Sequence, residues 1–217
     1  MFLLIGFNVL GFGQDWKKIP IPADPGEGKE WVLQTEVSDD FNYDFEATSE
    51  PAVIGDKWTN YYHNGWDGPS PTVWKRDHIY VKNGKMKVRA SREKGDIVHF
   101  TYMNQAHSLP ATNLGCATST KRVKYPVYIE TYVKISKSVL ASDVWLLSAD
   151  DTQEIDICEA YGGDRWNNEW FSNKRLHLSH HVFIRKPFQD WQPGDEGSFY
   201  TDGKTVWSDG FHRIGVY

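Results

Sequence analysis

The feature that most constrains the fold is the run Glu154-Ile155-Asp156-Ile157-Cys158-Glu159, which places three carboxylates in a stretch that otherwise has the pattern of a buried strand. Residues 142–148 before it are apolar and β-prone, and residues 149–153 between them are typical of a turn. The pattern predicts a β-hairpin whose second strand carries the acids. Because burying a carboxylate costs folding free energy, this strand is a candidate functional site.

The position of Glu159 relative to the other two acids depends on local strand geometry. On a regular strand, residues two apart share a face, which places Glu154 and Asp156 on one surface together with Cys158. Glu159 would then point to the opposite face. An extra residue, inserted as a β-bulge at Ile157-Cys158, would turn Glu159 back to the acidic face, and bulges recur beside active sites. We therefore predict a bulge at this point.

Two glutamates on one face are suited to glycoside hydrolysis. One acid, with a raised pKa, protonates the leaving oxygen, and the other attacks the anomeric carbon when the carboxyl groups lie roughly 5–5.5 Å apart. Asp156 between them can hydrogen-bond the nucleophile and, through like-charge coupling, help to keep a proton on a neighbour. The pattern alone leaves the roles of Glu154 and Glu159 interchangeable. An acidic strand that faces solvent, or part of a calcium site, is the alternative.

The composition favours a β-protein that binds a sugar. The chain has 217 residues, which fits one β-sandwich domain. Its 10 Trp, 11 Tyr and 11 Phe exceed what a core of this size usually needs, so some rings are expected to face a ligand. The net charge of -5 argues against nucleic acid or an anionic membrane surface as the main partner. With only Cys116 and Cys158, buried free thiols are expected rather than a disulfide framework.

The beginning of the chain differs in character from the rest. Residues 1–14 have the apolar core of a secretory signal, too short to span a bilayer, although a basic n-region is lacking. They predict a secreted protein, extracellular or periplasmic; a buried first strand or a truncated gene start is the alternative. Residues 15–30 are rich in Pro and Gly and predict an extended lead-in. The catalytic domain is predicted over residues 31–217.

Short β-prone segments then follow one another, with turn signals between them and no sign of a long helix. Asn83-Gly84 is a strong hairpin signal. Many short strands without a βαβ rhythm predict an all-β sandwich of two antiparallel sheets, in which residues 188–197 form a loop. The predicted strands cover residues 31–38, 78–81, 86–90, 98–102, 116–119, 127–135, 177–185 and 211–217.

Residues 58–74 interleave aromatic rings with Asn, His, Gly and Pro and lack helical periodicity. The apolar face of a hexose stacks on an aromatic ring, while amides and imidazoles hydrogen-bond its hydroxyls. We therefore predict a sugar-binding loop in which Trp66 and Trp74 are exposed and Asn64 is a polar contact. Packing of some of these rings in the core is the alternative.

Two clusters raise the question of a metal ion. His177, Ser179 and His181 share one face of a predicted strand, but no Cys or carboxylate lies nearby at the usual zinc spacing. Hydrogen bonding of these histidines to substrate or to the acids is therefore favoured. Asp39 and Asp40 offer oxygen ligands suited to calcium, but ordinary turn chemistry is favoured there.

Four blocks carry a resemblance to a known family. They read LASDVWLLSADDTQEIDICEAYG over residues 140–162, HLSHHVFIR over 177–185, DGFHRIGVY over 209–217, and YHNGW with WKRD over 62–66 and 74–77. Together they resemble glycoside hydrolase family 16, and more closely its β-agarases, from about Trp31 to the last residue. The resemblance implies a β-jelly-roll sandwich with a concave cleft, and endo-hydrolysis of β-1,4 bonds in agarose with retention of configuration.

The resemblance also implies residue roles. Carried over by position, it makes Glu154 the nucleophile, Asp156 its assisting carboxylate and Glu159 the acid/base, and Trp145 matches the ring beside the cleaved sugar. No cofactor is expected for catalysis, a structural calcium ion is possible because many members hold one, and a monomer is expected. Further implied cleft residues are Trp66, Trp74, His181 and Arg185.

The same resemblance raises one doubt and two competing functions. Family domains continue past Tyr217, so we expect this chain to lack the C-terminal strands that complete the cleft. A porphyranase, which acts on sulfated galactan, needs a basic pocket, for which Arg76, Arg89 and Arg185 are candidates. A non-catalytic carbohydrate-binding sandwich is disfavoured because it would not need three intact acids.

Overall fold

The structure, a computed structural model, describes residues 18–163 and 172–217. The predicted leader, residues 1–14, lies outside the described residues, so it stays a prediction. The described part of the lead-in, from Lys18 to Glu30, contains neither strand nor α-helix, in keeping with an extended segment. In the described ranges no helix has the length and apolar character needed to cross a membrane.

The described residues are almost entirely β-structure, arranged in two compact units, Met1–Lys124 and Tyr125–Tyr217. We call these the N-terminal and the C-terminal unit and describe each by itself. The N-terminal unit contains β1 (Val53–Ile54), β2 (Trp58–Thr59), β3 (Thr72–Trp74), β4 (Ile79–Val81), β5 (Met86–Val88), β6 (Ala90–Tyr102), β7 (Gln105–Leu114) and β8 (Thr118–Ser119). The C-terminal unit contains β9 (Ile129–Val133), β10 (Ala141–Leu147), β11 (Gln153–Tyr161), β12 (Leu176–His177), β13 (His180–Arg185), β14 (Phe188–Trp191), α1 (Asp195–Ser198), β15 (Phe199–Tyr200) and β16 (His212–Val216).

In the N-terminal unit, the predicted hairpin between β4 and β5 is confirmed. Asn83 and Gly84 both have positive φ, 56° and 68°, as the tightest hairpin turns require, and Ile79 pairs with Val88. The pairing of β3 with β7 was not predicted. These two strands run parallel, whereas only antiparallel sheets were expected. A parallel pair needs a crossover of a dozen or more residues, and the chain between β3 and β7 supplies it with β4, β5 and β6.

The predicted strand over residues 31–38 is wrong. The backbone N–H groups of Val37 and Ser38 both donate to the carbonyl of Gln34, at 3.2 and 3.0 Å, and close a turn instead. The alternating pattern was present, but no neighbouring strand pairs with it among the described residues. The predicted strand over residues 116–119 is also shorter than expected, since only Thr118–Ser119 pairs.

Asp39 organises the core of the N-terminal unit. Its carboxylate accepts hydrogen bonds from the backbone N–H of Phe41 at 2.8 Å, from the Tyr43 hydroxyl at 2.8 Å and from the Trp58 indole N–H at 2.9 Å. These three aromatic residues pack against the buried Ile54, Ile79 and Val81. Asp40 accepts a backbone hydrogen bond from Asn42 at 3.2 Å. Both aspartates therefore show the turn chemistry that was predicted for them.

In the C-terminal unit, β11 is the central strand. It pairs with β10 along one edge and with β12 and β13 along the other, and β14 and β15 pair with β13 and β12. The predicted strands at 127–135 and 211–217 are confirmed as β9 and β16, which pair with each other. Both cysteines are buried free thiols, as predicted. The core of this unit consists of Ile135, Ile157, Cys158, Ala160, Leu176, Trp207 and Ile214.

The segment after residue 185 corrects a second prediction. Residues 188–197 were expected to be a loop, but Phe188–Trp191 forms β14, which pairs with β13, and Asp195–Ser198 forms one helical turn. All four residues of β14 are exposed. No alternation of buried and exposed side chains therefore marks this strand in the sequence. Pairing with β13, rather than burial, makes this segment a strand.

Replacing Asp39 with Ala tests the organising role of its carboxylate. We expect the free energy of unfolding to fall by about 2–4 kcal/mol, because the Tyr43 hydroxyl and the Trp58 indole N–H both lose their acceptor. Thermal and denaturant unfolding of the purified chain measure it. The matched control Asp40→Ala removes an exposed turn contact and should cost roughly 0.5–1 kcal/mol. Equal destabilisation by the two variants would contradict this account.

Candidate active site

The predicted β-bulge lies in β11 at the expected place. Val144 of β10 pairs with Cys158, and the next residue, Trp145, pairs with Asp156, so Ile157 is left without a partner on β10. One expectation is corrected, because Cys158 does not share the acidic face. With 0% exposure it belongs to the core together with Ile157, because Ile157 faces the core by ordinary alternation and the bulge turns Cys158 to the same side.

The extra residue also changes the pairing on the other edge of β11. Glu154 pairs with His181 and Glu159 pairs with His177, so five steps along β11 match four steps along the partner. The partner accommodates this by breaking between β12 and β13. Ser179 lies in the break, where its carbonyl accepts a hydrogen bond from the Asp156 N–H at 2.8 Å. The predicted strand 177–185 is therefore two strands, and Ser179 belongs to neither.

Cross-strand partners project to the same face of a sheet, so the register defines which residues surround the acids. Both glutamates and Asp156 share one face of β11, as predicted for a bulged strand. We call this surface the acid face. It is formed by Asp143, Trp145 and Leu147 of β10, Glu154, Asp156, Glu159 and Tyr161 of β11, and His177 and His181 of the neighbouring strands.

Glu159 is held by two hydrogen-bond donors. The Tyr161 hydroxyl donates to its Oε1 at 2.8 Å, and the Nδ1 of His177 forms an ion pair with its Oε2. Burial alone would raise the pKa of Glu159, but the hydrogen bonds from His177 and Tyr161 outweigh it and lower this pKa below its usual value. The same hydrogen bond raises the pKa of His177. Both shifts favour a proton on His177 over a proton on Glu159.

His181 connects two other carboxylates. Its Nε2 lies 3.3 Å from Oδ2 of Asp156, and its Nδ1 lies 2.8 Å from Oδ1 of Asp190 on β14. Burial and the charge of Glu159 raise the pKa of Asp156 to about 6. Burial and the charge of Asp156 raise the pKa of Glu154 to about 7. The predicted bonding of the histidines to the acids is confirmed.

These pKa directions separate Glu154 from Glu159 in the free protein. Glu159 ionises more readily than usual and Glu154 less readily, which is the reverse of a simple assignment of Glu159 as the protonated acid and Glu154 as the ionised nucleophile. Such a tightly packed set titrates as a group. The proton available to a leaving group is then the one shared by Glu159 and His177.

Three residues of this site, Asp143, Tyr161 and Asp190, were not predicted from the sequence. Asp143 lies on the acid face opposite Glu159, and desolvation of its carboxyl together with the charges of Glu159 and Asp156 raises its pKa to about 8. Strand alternation back from Trp145 could have identified it. Alternation forward from Glu159 on the same strand could likewise have identified Tyr161. The position of Asp190 follows from the pairing of β14 with β13, which the sequence does not display.

The remaining predicted residues of the C-terminal unit lie on or beside the acid face. Trp145 is half-buried and sits next to Asp156 in register. Arg185 lies on the same side of β13 as His181, two alternations further on. Its guanidinium stacks over the Phe183 ring, 5.1 Å from the centroid, and donates to the carbonyl of Asp151.

The predicted residues of the N-terminal unit form a cluster of their own. Asn64 accepts a hydrogen bond from the Trp66 N–H at 2.8 Å, and the Trp66 carbonyl accepts one from the Trp74 indole at 2.8 Å. Trp66 is exposed, as predicted, at 56%. Trp74 is only half-buried rather than exposed, because its ring stacks on Tyr62 with the centroids 5.8 Å apart.

Two overlapping groups of donors on the acid face have the spacing of a metal site. Glu154, Asp156 and His181 form one, and Asp156, Glu159 and His177 form the other, each with ligand atoms within 4.8 Å of one another. The sequence spacing disfavoured a metal because no carboxylate lies near the histidines along the chain, yet the fold brings carboxylates to them from β11. The hydrogen bonds between histidines and acids account for both groups, and we assign no metal to them.

Fold and site together define an all-β protein with hydrogen-bonded carboxylates on one sheet face. The family model described as beta-porphyranase A-D, GH16 domain, matches residues 31–217. The chain therefore belongs to glycoside hydrolase family 16. The resemblance stated from the sequence is confirmed.

Individual relatives agree with this assignment. A beta-agarase of Phocaeicola plebeius is 52% identical over 212 residues, which are 97% of this chain and 66% of that protein. Beta-agarase B of Zobellia galactanivorans is 50% identical over 207 residues, 94% of this chain and 54% of that protein. This chain thus spans about half to two thirds of the length of these curated relatives.

Solved structures support the fold class. An inactivated mutant beta-agarase B in complex with agaro-octaose superposes with a TM-score of 0.80 at 50% sequence identity, covering 94% of this chain and 65% of that one. The likeness to such family 16 structures confirms the predicted all-β jelly-roll class.

The coupling between Glu159 and His177 is directly measurable. We expect the His177 imidazole to titrate above its ordinary pKa of 6.5 in the wild-type protein, because the carboxylate stabilises the imidazolium. Glu159→Gln should lower this pKa, as followed by NMR titration of the imidazole nitrogens. Asp190→Asn is the matched control, since it removes a carboxylate from His181 instead. A His177 pKa that does not respond to Glu159→Gln would contradict the pairing.

Proposed function

We propose that this chain is the catalytic part of an endo-acting, retaining glycoside hydrolase that cleaves β-1,4 linkages in agarose. The observation that carries the proposal is the bulge at Ile157, which brings Glu154, Asp156 and Glu159 to one face. Membership of family 16 and the agarase names of two relatives at 50% identity or above support the same substrate class.

In the first step, the Glu154 carboxylate attacks the anomeric carbon and a covalent glycosyl ester forms. The glycosidic bond breaks at the same time, and the leaving oxygen takes a proton from Glu159. In the second step, Glu159 removes a proton from a water molecule that attacks the anomeric carbon and releases Glu154. Two displacements at one carbon leave its configuration unchanged. Asp156 lies within 4.8 Å of the carboxyl groups of both glutamates. It orients Glu154, and its negative charge helps to keep a proton on its neighbours.

The pKa values of Glu154 and His177 fit this sequence of steps. Glu154 must be ionised to attack, and with a pKa of about 7 it carries a proton at lower pH. The pair of Glu159 and His177 must retain one proton, and the raised pKa of His177 retains it. As negative charge develops on the leaving oxygen, the shared proton moves from Nδ1 through Glu159 to that oxygen. Glu159 is thereby an acid although its own pKa is low.

We choose agarose over the sulfated porphyran because two of the three candidate sulfate-binding arginines are engaged in other contacts. Sulfate recognition needs a guanidinium that is available for bidentate contact. Arg185 is stacked on Phe183 and bonded to a backbone carbonyl, and Arg76 stacks over Tyr61 at 4.2 Å and donates to Asn60. Two of the three candidate arginines are thus already engaged. Trp66 offers an exposed ring for an uncharged sugar face.

The setting of the enzyme is part of the proposal. A polymeric substrate is met outside the cell, and the apolar start of the chain, residues 1–14, supports export to the periplasm or the medium. Catalysis uses side chains alone, with calcium in a structural role at most. A monomer suffices, because the three carboxylates and His177 lie on neighbouring strands of one chain.

Azide rescue assigns the roles of the two glutamates. Glu154→Ala and Glu159→Ala should each lower the release of reducing ends from agarose by roughly 10²–10⁴-fold. With azide, Glu159→Ala should yield a glycosyl azide of retained configuration, and Glu154→Ala one of inverted configuration, as read from the anomeric NMR coupling. The control Glu46→Ala alters an exposed glutamate of the N-terminal unit. Swapped stereochemistry would contradict the assigned roles, and faster cleavage of porphyran would contradict the substrate.

A further inference from the structure

Asp143 is a fourth carboxylate on the acid face that the proposed mechanism does not use. It pairs with Glu159 across β10 and β11, so both side chains project to the same side of the sheet. His177 pairs with Glu159 from the opposite edge of β11. Glu159 therefore lies between a carboxylate on β10 and an imidazole on β12, which have opposite charges when both are ionised.

A structural role does not explain an acid at this position. Asp143 lies on the face of β10 opposite Val144 and Leu146, which pack against the core, so its residue type contributes nothing to that core. Like charges placed directly opposite each other on neighbouring strands destabilise a sheet. An aspartate facing Glu159 thus opposes folding, which is typical of a position that serves the site.

We propose that Asp143 is a positioning residue that keeps the catalytic proton on the pair formed by Glu159 and His177; this rests on the proposed function. Asp143 ionises near its raised pKa of about 8, and on the alkaline side its negative charge favours the protonated form of the pair, whichever of the two side chains carries the proton. Asp143 does this from β10 without contacting the anomeric carbon. His177 lowers the proton affinity of Glu159, and the charge of Asp143 raises the proton affinity of His177, so the proton stays on the pair.

The other charged groups around the pair act in known directions. From β11, Glu154 and Asp156 add negative charge, and the Tyr161 hydroxyl donates to Glu159. From β13, His181 carries a positive charge when protonated, but it is bonded to Asp156 and to Asp190 of β14. Asp143 is the carboxylate that pairs directly with Glu159, so its removal changes the field at the pair with least disturbance of the nucleophile.

Asp143→Asn tests the proposal through the pH dependence of kcat/KM on an agarose oligosaccharide. The alkaline limb reports loss of the proton from the pair, and it should move to lower pH by roughly one unit. The rate on the acid side of the optimum should change much less. Asp143→Glu should restore the wild-type limb. Asp143→Ser is the second neutral variant, used if Asn at this position impairs folding.

The control and the second readout separate this proposal from the proposed function. Asp209→Asn makes the same change of net charge at a surface carboxylate paired with Lys137, and its alkaline limb should not move. NMR titration of His177 needs no substrate and should show a lower pKa in Asp143→Asn. An unmoved limb with a uniformly lower rate, or an unmoved His177 pKa, would overturn the role of Asp143. If no galactan is cleaved but the His177 pKa moves, only the proposed function fails.

Discussion

One unpaired residue, Ile157, sets the geometry on which the site depends. A regular strand would alternate Glu154, Asp156 and Cys158 on one side and send Glu159 into the core side. The bulge places Ile157 and Cys158 together in the core and returns Glu159 to the acids. The apolar burial of these two side chains therefore stabilises the same backbone irregularity that aligns the carboxylates.

The bulge also determines the electrostatics of the acid face. Since the neighbouring edge must absorb one extra residue, β12 and β13 separate, and each contributes one histidine to a different carboxylate. His177 is paired with Glu159 and His181 with Asp156, so two of the acids in the row each have an imidazole partner. The resulting order of pKa values places an exchangeable proton beside Glu159 and leaves Glu154 to ionise near neutral pH.

The sequence predicted this site better than it predicted the rest of the fold. The bulge, the shared face of the acids and the Asn83-Gly84 hairpin follow from local spacing, and local spacing is visible in a sequence. The strand at 188–191 and the turn at 34–38 depend on which segment pairs with which, and hydrophobic alternation does not report that.

The features of the site that the sequence did not predict also depend on contacts between segments that are distant in the chain. Asp143 and Asp190 meet the acids and histidines only through register between strands. Trp74 is half-buried because a ring from another part of its loop covers it, which an aromatic-rich pattern does not distinguish from exposure. The order of roles for the two glutamates came from the family resemblance, because spacing treats them alike.

Moving the acid by one position tests the central claim most directly. In the double variant Cys158→Glu, Glu159→Ala, the bulge turns the new carboxyl to the core side, so hydrolysis of agarose should be no faster than in Glu159→Ala alone, roughly 10²–10⁴-fold below wild type. On a regular strand, position 158 would instead share the face of Glu154 and Asp156. A double variant that keeps its β-type circular dichroism spectrum and recovers activity over Glu159→Ala would therefore show that the bulge does not align the acids.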